Sequence, residues 1–223
     1  MKVIITGASR GIGFEMVKQF LANGHKVIAI SRNKEKLFEL EQLGANILPF
    51  DLTSSDFSPI IDFVKSFGQI DIIINNAGAI VNKPLNQMTN KDINHVYSVN
   101  VFAVIKLTRD LLPHFNKDAH IVNISSVGGV QGSVKFSGLS IYSSSKGAIS
   151  ILTECLAEEF ANSSLRFNAL ALGAVQTEML QKAFPGYQAN TSAVEMANYV
   201  YRFATLDGKL YNGKILTVSS SIP

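Results

Sequence analysis

Lys2-Val-Ile-Ile-Thr6-Gly-Ala-Ser-Arg10-Gly-Ile-Gly13 runs from a short apolar stretch straight into three glycines and then into an amphipathic segment. The pattern predicts a buried strand over Lys2–Thr6, a tight turn, and a helix from about Gly11 to Asn23, with Gly24 at its stop. Glycine at 7, 11 and 13 permits the turn, lets backbone approach a ligand closely and lets the helix pack near the strand. A helix that opens there offers free N–H groups and a partial positive charge, the chemistry that captures a dinucleotide pyrophosphate. Gly7, Ser9, Arg10, Gly11, Ile12 and Gly13 are the residues expected to form that cradle.

Outward from this unit, β-branched runs alternate with longer amphipathic segments. Strands are expected at His25–Ile30, Asn46–Phe50, Ile70–Asn75, His120–Ile124, Leu165–Leu170 and Lys214–Val218. Helices are expected at Lys34–Leu43, Ser54–Phe67, Thr89–Phe115, Ile141–Asn162 and Ser192–Leu206, with a Gly- and Ser-rich loop over Val127–Ser140. Strands apolar along their whole length and separated by helices indicate a parallel sheet covered on both faces. The predicted fold is α/β: one doubly wound Rossmann-type domain over residues 1–223, with a mostly parallel sheet of about seven strands. Its cofactor half covers about 1–125 and its catalytic and substrate half about 126–223.

Hydrophobic residues make up 47% of the 223 and charged residues 17%, which supports a large core and argues against disorder. The net charge of +3, with no basic run and no aromatics interleaved with Lys and Arg, gives no nucleic-acid footprint. No apolar run reaches membrane-spanning length and the start lacks the apolar stretch of a signal peptide, so a cytoplasmic protein is expected. Cys155 is the only cysteine and lies in the apolar stretch Ile151–Ala157; it is read as a buried structural thiol. His25, His95, His114 and His120 show no metal-ligand spacing, so no metal site is expected and structural or exposed roles are assigned to them.

The second strand bears on the choice of cofactor. An acid about 20 positions after the glycines would bind the ribose 2′-OH of NAD. Here the strand ends Ser31-Arg32-Asn33, with no acid before Glu35. Arg32 and Arg10 would flank a 2′-phosphate, with Ser31 adding a hydroxyl, because guanidinium presents a planar fork of donors. NADP(H) is therefore expected, with NAD(H) the alternative if both arginines are solvated surface charge. Tyr142 and Lys146 are spaced i, i+4 and share a helix face. An ammonium beside a phenol favours the phenolate and fits the phenol for proton transfer at an alcohol oxygen. Ser126 ends a strand at the carboxyl edge of the sheet, where such folds bind ligands, and would polarise a carbonyl.

With these motifs in order, the chain resembles the short-chain dehydrogenase/reductase family from Met1 to about Thr177. Thr6–Gly13 is similar to the family's cofactor loop and Asp51-Leu52 to its adenine contacts. Asn75-Asn76-Ala77-Gly78 is similar to the segment that supports the sheet and lines the adenosine site. The resemblance implies that Asn100, Ser126, Tyr142 and Lys146 form the catalytic set. Tyr142 would be the general acid or base, Lys146 would tune it and bind the nicotinamide ribose, and Asn100 would hold a water in a proton relay. Gly173, Val175 and Thr177 would contact the nicotinamide end, and a small carbonyl/alcohol pair would be the substrate.

The chain also departs from the family pattern. Ser126 and Tyr142 lie 16 positions apart, slightly more than usual, which lengthens the loop Val130–Leu139. Leu172 replaces the usual proline before Gly173, and the C-terminal Leu216–Pro223 lacks an Asp-Gly-Gly. The covering segment, about Glu178–Thr191, is short, so an open, apolar-rimmed site is expected. Phe102, Val104, Ile105 and Leu107 give the Asn100 helix more apolar surface than one sheet covers, and family members pair this helix and the Tyr142 helix with a second subunit. A homodimer or homotetramer is expected. Two other readings remain: a cofactor-sensing or interaction protein without turnover, and a sugar-nucleotide epimerase, which the compact chain and glycine spacing disfavour.

Overall fold

The computed structural model describes residues 1–220; Ser221, Ile222 and Pro223, the end of the C-terminal segment discussed above, lie outside the described residues. In chain order the elements are β1 (Lys2–Thr6), α1 (Gly11–Ala22), β2 (Lys26–Ser31), α2 (Lys34–Gln42), β3 (Asn46–Pro49), α3 (Ser58–Phe67) and β4 (Ile70–Asn75). Then follow α4 (Asn90–Tyr97), a π-helical turn (Ser98–Phe102), α5 (Ala103–Leu111), β5 (Phe115–Ser126), α6 (Ser140–Glu159) and β6 (Arg166–Leu172). The chain ends with β7 (Val175–Gln176), α7 (Glu178–Ala183), β8 (Thr191–Ser192), α8 (Ala193–Thr205) and β9 (Lys214–Val218).

Seven strands form one sheet in the order β3-β2-β1-β4-β5-β6-β9, and every neighbouring pair is parallel. The strand order reverses between β1 and β4, which opens a crevice at their carboxyl ends, the place where doubly wound folds bind ligands. Alternation along the strands divides the apolar side chains between two cores. Val3, Ile5, Val27 and Ile74 face α1 and α8, where Phe20 and Phe203 are buried. Ile4, Ile28, Ile73 and Ile121 face α3 and α5, where Ile60 and Leu107 are buried. This double burial is why the strands read as continuous apolar runs.

Several boundaries differ from expectation for identifiable reasons. The residues before α3 are not helical, because the Asp56 carboxylate accepts hydrogen bonds from the Ser58 N–H (2.8 Å) and hydroxyl (2.9 Å), forming a local turn. The stretch expected as one helix over Thr89–Phe115 is interrupted by the π turn and ended by Pro113 in a 3₁₀ turn. β5 consequently begins at Phe115 rather than His120. Cys155 is exposed, not buried: α6 turns Ser145, Ile149, Thr153 and Ala157 inward, and Cys155 falls with Ile151 on the opposite face. Val104 and Leu107 are buried within the chain's own core, which leaves Phe102 and Ile105 as the exposed apolar residues of that region.

His120 sits within β5 at 1% exposure. Its Nδ1 lies 3.1 Å from the Ala204 carbonyl oxygen, which can only accept, and its Nε2 lies 3.0 Å from Asn168 Nδ2, which donates. The Asn168 amide is itself fixed, since Nδ2 also donates to the Tyr211 carbonyl (2.9 Å) and Oδ1 accepts from the Lys214 N–H (3.1 Å). The network therefore assigns one neutral tautomer and leaves no acceptor for a second ring proton. Burial lowers the pKa of His120 to about 4. The unfolded chain takes up this proton near pH 6.5, so folding stability falls as pH drops from about 6.5 to 4, by up to about 3 kcal/mol from this residue. Urea unfolding of the native protein between pH 7.5 and 4.5 should show this slope. His120→Gln should be less stable at every pH and should have lost most of it.

Candidate active site

A cleft of about 800 Å³ opens along the carboxyl ends of β1, β2, β4, β5 and β6. Its first wall is the glycine loop. Gly7 has φ 68°, a backbone conformation that side chains disfavour, and a Cβ on Gly13 would overlap the Gly7 carbonyl oxygen. Helix α1 is thereby held against the end of β1. Arg10, at the N-cap of α1, makes no side-chain capping bond, so side chains leave the first N–H groups of the helix free for a ligand. These features fit a dinucleotide pyrophosphate.

The second wall is residues 76–79, stapled to the first by Thr6. Its Oγ1 accepts from the N–H groups of Asn76 and Ala77, both at 3.0 Å, while Asn76 Nδ2 donates to the Thr6 (3.0 Å) and Gly7 (3.3 Å) carbonyls. Behind this segment a buried polar chain crosses the sheet. Asn75 Nδ2 donates to Asn123 Oδ1 (2.8 Å), Asn123 Nδ2 to Thr153 Oγ1 (2.9 Å), and Thr153 Oγ1 to the Ile149 carbonyl of α6 (2.8 Å). Asn123 and Thr153 escaped the sequence reading because isolated polar residues in apolar elements carry no spacing signal.

Helix α6 brings Tyr142 and Lys146 to the floor of the cleft beside Ser126. Two close contacts set its position. A Cβ on Gly129 would lie 2.6 Å from the Lys146 carbonyl carbon and 2.7 Å from the Gly147 nitrogen. Ser125 Oγ donates to the Lys146 carbonyl at 2.9 Å. Neither glycine was singled out in the sequence, although each neighbours a predicted catalytic segment.

Lys146 is 4% exposed and its Nζ donates to the Ile124 carbonyl at 2.7 Å. Burial lowers its pKa to about 8. The ammonium lies 5.9 Å from the centre of the Tyr142 ring. Contrary to the expected lowering of the phenol by Lys146, burial pushes Tyr142 above its ordinary value, with a hydrogen bond to Ser126 opposing the rise.

Asn100 is the one predicted catalytic residue that does not line the cleft. It lies in the π turn, 1% exposed; its Oδ1 accepts from the Ala79 N–H (2.7 Å), and its Nδ2 donates to the Ala79 carbonyl (3.0 Å) and to Ser145 Oγ (2.9 Å). The side chain thus ties residues 78–79 to α6, and a Cβ on Gly78 would lie 3.7 Å from both Asn100 Oδ1 and Lys146 Nζ.

The predicted cofactor residues Ser9, Arg10, Ile12, Ser31, Arg32, Asp51, Leu52, Asn76, Ala77, Gly78, Gly173, Val175 and Thr177 all line the cleft, with Gly7, Gly11 and Gly13. Ser31 Oγ donates to Ser9 Oγ at 2.8 Å, joining β2 to the glycine loop. Every cation at this end faces a carboxylate: Arg10 meets Glu178 at 3.1 Å, Arg32 meets Asp51 at 4.0 Å, and Lys36 meets Glu39 at 2.7 Å. Glu178, Lys36 and Glu39 were not predicted as cofactor residues.

The covering segment is anchored at several points. The short β7–β8 pair holds its two ends together through Val175↔Thr191 and Gln176↔Ser192. Asn82 Nδ2 donates to the Ala183 carbonyl at 2.7 Å. Phe184 meets Phe136 of the lengthened loop edge-on, with ring centres 5.4 Å apart. Among the described residues no three His, Cys, Asp or Glu side chains gather as for a metal ion, and no helix is long and apolar enough to cross a membrane.

Against known families, residues 1–188 match the family described as short chain dehydrogenase. Gluconate 5-dehydrogenase of Gluconobacter oxydans (strain 621H) is 36% identical over 195 residues, covering 81% of this chain and 73% of that protein. The 3-oxoacyl-[acyl-carrier-protein] reductase FabG of Thermotoga maritima is 34% identical over 189 residues, covering 80% and 76%. Among solved structures, a short chain dehydrogenase from Burkholderia cenocepacia J2315 in complex with NADP superposes with a TM-score of 0.85 at 27% identity, over 98% of this chain and 96% of that one. A 3-ketoacyl-(acyl-carrier-protein) reductase from Brucella melitensis complexed with NADH gives 0.88 at 25% identity, over 97% and 96%.

The Gly129 contact has a measurable consequence. Gly129→Ala should displace α6 from the end of β5, lower stability by about 2 kcal/mol and reduce turnover. Thermal melting and steady-state kinetics on the same preparation check both effects.

Proposed function

The chain belongs to the short-chain dehydrogenase family, and from that premise we propose that it is an NADP(H)-dependent oxidoreductase reducing a carbonyl to an alcohol, or the reverse, with Tyr142 as general acid or base. The observation that carries the reading is one cleft lined by a pyrophosphate cradle, Gly7–Gly13, and by the trio Ser126, Tyr142 and Lys146. A bound nicotinamide dinucleotide supplies or accepts the hydride. Ser126 donates a hydrogen bond to the reacting oxygen, and Tyr142 gives that oxygen its proton. Burial holds the phenol above its ordinary pKa, so at neutral pH Tyr142 carries the proton that it gives. Lys146 places positive charge behind the phenol and bonds the nicotinamide ribose; its present partner, the Ile124 carbonyl, holds it in place meanwhile. In this reading the proton is replaced through Lys146 and a water beside Asn100, whose amide ties Ala79 to Ser145 of α6.

Arg10, Arg32 and Ser31 support NADP(H) over NAD(H), since no acid follows β2 to hold a free 2′-hydroxyl. The carboxylates facing the two arginines are exposed partners, worth about 1 kcal/mol or less each, and a 2′-phosphate displaces them. The exposed side chains of Phe102, Ile105 and Ile151 border a small cluster of Val101, Val104 and Ile149, and a second copy of the chain in a homodimer or homotetramer covers that face in this reading. A cytoplasmic setting is part of the same proposal, in keeping with a single, unpaired cysteine.

NADPH consumption against a panel of aldehydes, ketones and diketones tests the activity. Tyr142→Phe should retain cofactor binding and lose about 100- to 10,000-fold in turnover; near-normal turnover would reject Tyr142 as the acid. Fluorescence titration should show NADPH bound more tightly than NADH. Glu178→Gln, which frees Arg10, should tighten NADPH about fivefold with little effect on NADH. Equal affinities for the two cofactors in the native protein would reject the NADP(H) assignment.

A further inference from the structure

The distribution of charge along the cleft is uneven. Apart from Lys146, every charged lining residue lies at the glycine-loop and β2 end or, like Glu178, is bonded towards it. Away from that end the lining includes Ile80, Val127, Phe136, Leu139, Met179 and Phe184, from the segments that neighbour Ser126 and Tyr142 in the chain and from the covering segment. The hydroxyls lining the cleft on these segments are those of Ser125, Ser126, Tyr142 and Ser143; Ser125 is spent on the Lys146 carbonyl, and the other three suit one reacting oxygen and little else.

The cations flanking this end are bonded elsewhere or stand outside the lining. Lys83 Nζ donates to Asp92 Oδ2 at 2.8 Å. Lys135 Nζ is bound by its own loop, donating to the Val130 and Ser133 carbonyls at 2.7 and 3.0 Å and to Ser133 Oγ at 2.6 Å. Lys182 is exposed and does not line the cleft. Lys146 is the one cation lining the cleft there, and its buried ammonium is held by the Ile124 carbonyl and given to the nicotinamide ribose in the reading above, so a substrate carboxylate or phosphate beside Tyr142 would lose water without gaining a counter-ion of its own.

The apolar wall is also pre-formed. Asn82 holds the Ala183 carbonyl, the Lys83 N–H donates to the Gly138 carbonyl at 3.1 Å, and the Phe184 N–H donates to the Leu180 carbonyl at 2.8 Å. Residues 82–83 therefore brace both segments whose aromatic rings meet across the rim, Phe136 from one and Phe184 from the other.

Resting on the oxidoreductase reading above, we infer that the substrate is an uncharged ketone, or the matching alcohol, with an aryl or branched apolar group that packs against the Phe136–Phe184 pair, and that anionic substrates are rejected. In the reductive direction the carbonyl carbon takes a hydride from NADPH and the oxygen takes the Tyr142 proton, which solvent replaces. The products are the neutral alcohol and NADP⁺, and no further reductant enters.

The test is a matched pair, methyl 4-acetylbenzoate and 4-acetylbenzoate, which share the reacting ketone and ring and differ in a remote charge. With NADPH, kcat/KM for the ester should exceed that for the acid by about 100-fold or more. Phe184→Ala should raise KM for the ester about tenfold with kcat changed far less, Phe184→Leu should recover part of the loss, and Phe184→Arg should narrow the ester-to-acid ratio. Melting temperatures of the variants separate recognition from misfolding. Equal turnover of acid and ester by the native protein, or an unchanged KM in a folded Phe184→Ala, would overturn the assignment. If neither compound is consumed while butanedione is, in a Tyr142-dependent manner, the substrate class falls and the oxidoreductase reading stands. If no carbonyl compound is consumed at all, both fall.

Discussion

Two places where backbone meets backbone with no room for a methyl group govern this molecule. At one, Gly13 packs under the Gly7 carbonyl and fixes the start of α1 against β1. At the other, Gly129 packs on the Lys146–Gly147 peptide and fixes α6 against the end of β5. A pyrophosphate cradle needs the first approach, because any side chain there would hold the helix terminus away from the strand. The trio Ser126, Tyr142 and Lys146 needs the second, because Ser126 sits on a strand and its partners on a helix. The polar chain Asn75–Asn123–Thr153 and the Thr6–Asn76 staple lock the intervening sheet, so the two ends of the cleft share one rigid frame.

The electrostatics of the site follow from that rigidity. Lys146 is carried into a position where burial, not solvent, sets its proton affinity, and a main-chain carbonyl is its partner. The phenol beside it responds first to its own desolvation. Placing an ammonium and a phenol one helical turn apart does not by itself lower the phenol. The outcome depends on which of the two is more thoroughly removed from water and on what else bonds the charge.

Much of the fold was legible because a sheet buried on both faces writes itself as continuous apolar runs; β1, β4 and β9 were read to the residue. Elements governed by side-chain-to-backbone bonds or by helix irregularity were less so. Asp56 delays α3, the π turn and Pro113 divide the long helix, and β5 begins five residues early. Cys155 was misplaced because an apolar stretch of α6 carries two faces and only one meets the sheet. Within the site, residues in recognisable spacings were legible. Their supports were not, since Ser125, Asn123, Thr153 and the paired glycines act through contacts distant in sequence. The pairing of Arg10 with Glu178 spans 168 positions and no local pattern could announce it.

The parallel two-residue ladder of β7 and β8 has a consequence for how the molecule can diverge. Residues 177–190 leave and rejoin the domain at adjacent points, so the excursion can change length without moving its ends. Lengthening such a loop adds only a slowly growing entropic cost. Insertions there can remodel the ground above Tyr142 while the sheet, the glycine turn and the buried asparagines stay in register. The segment that covers the cleft and the frame that holds Ser126, Tyr142 and Lys146 are thus separable parts of the chain, and the first can change while the second stays as it is.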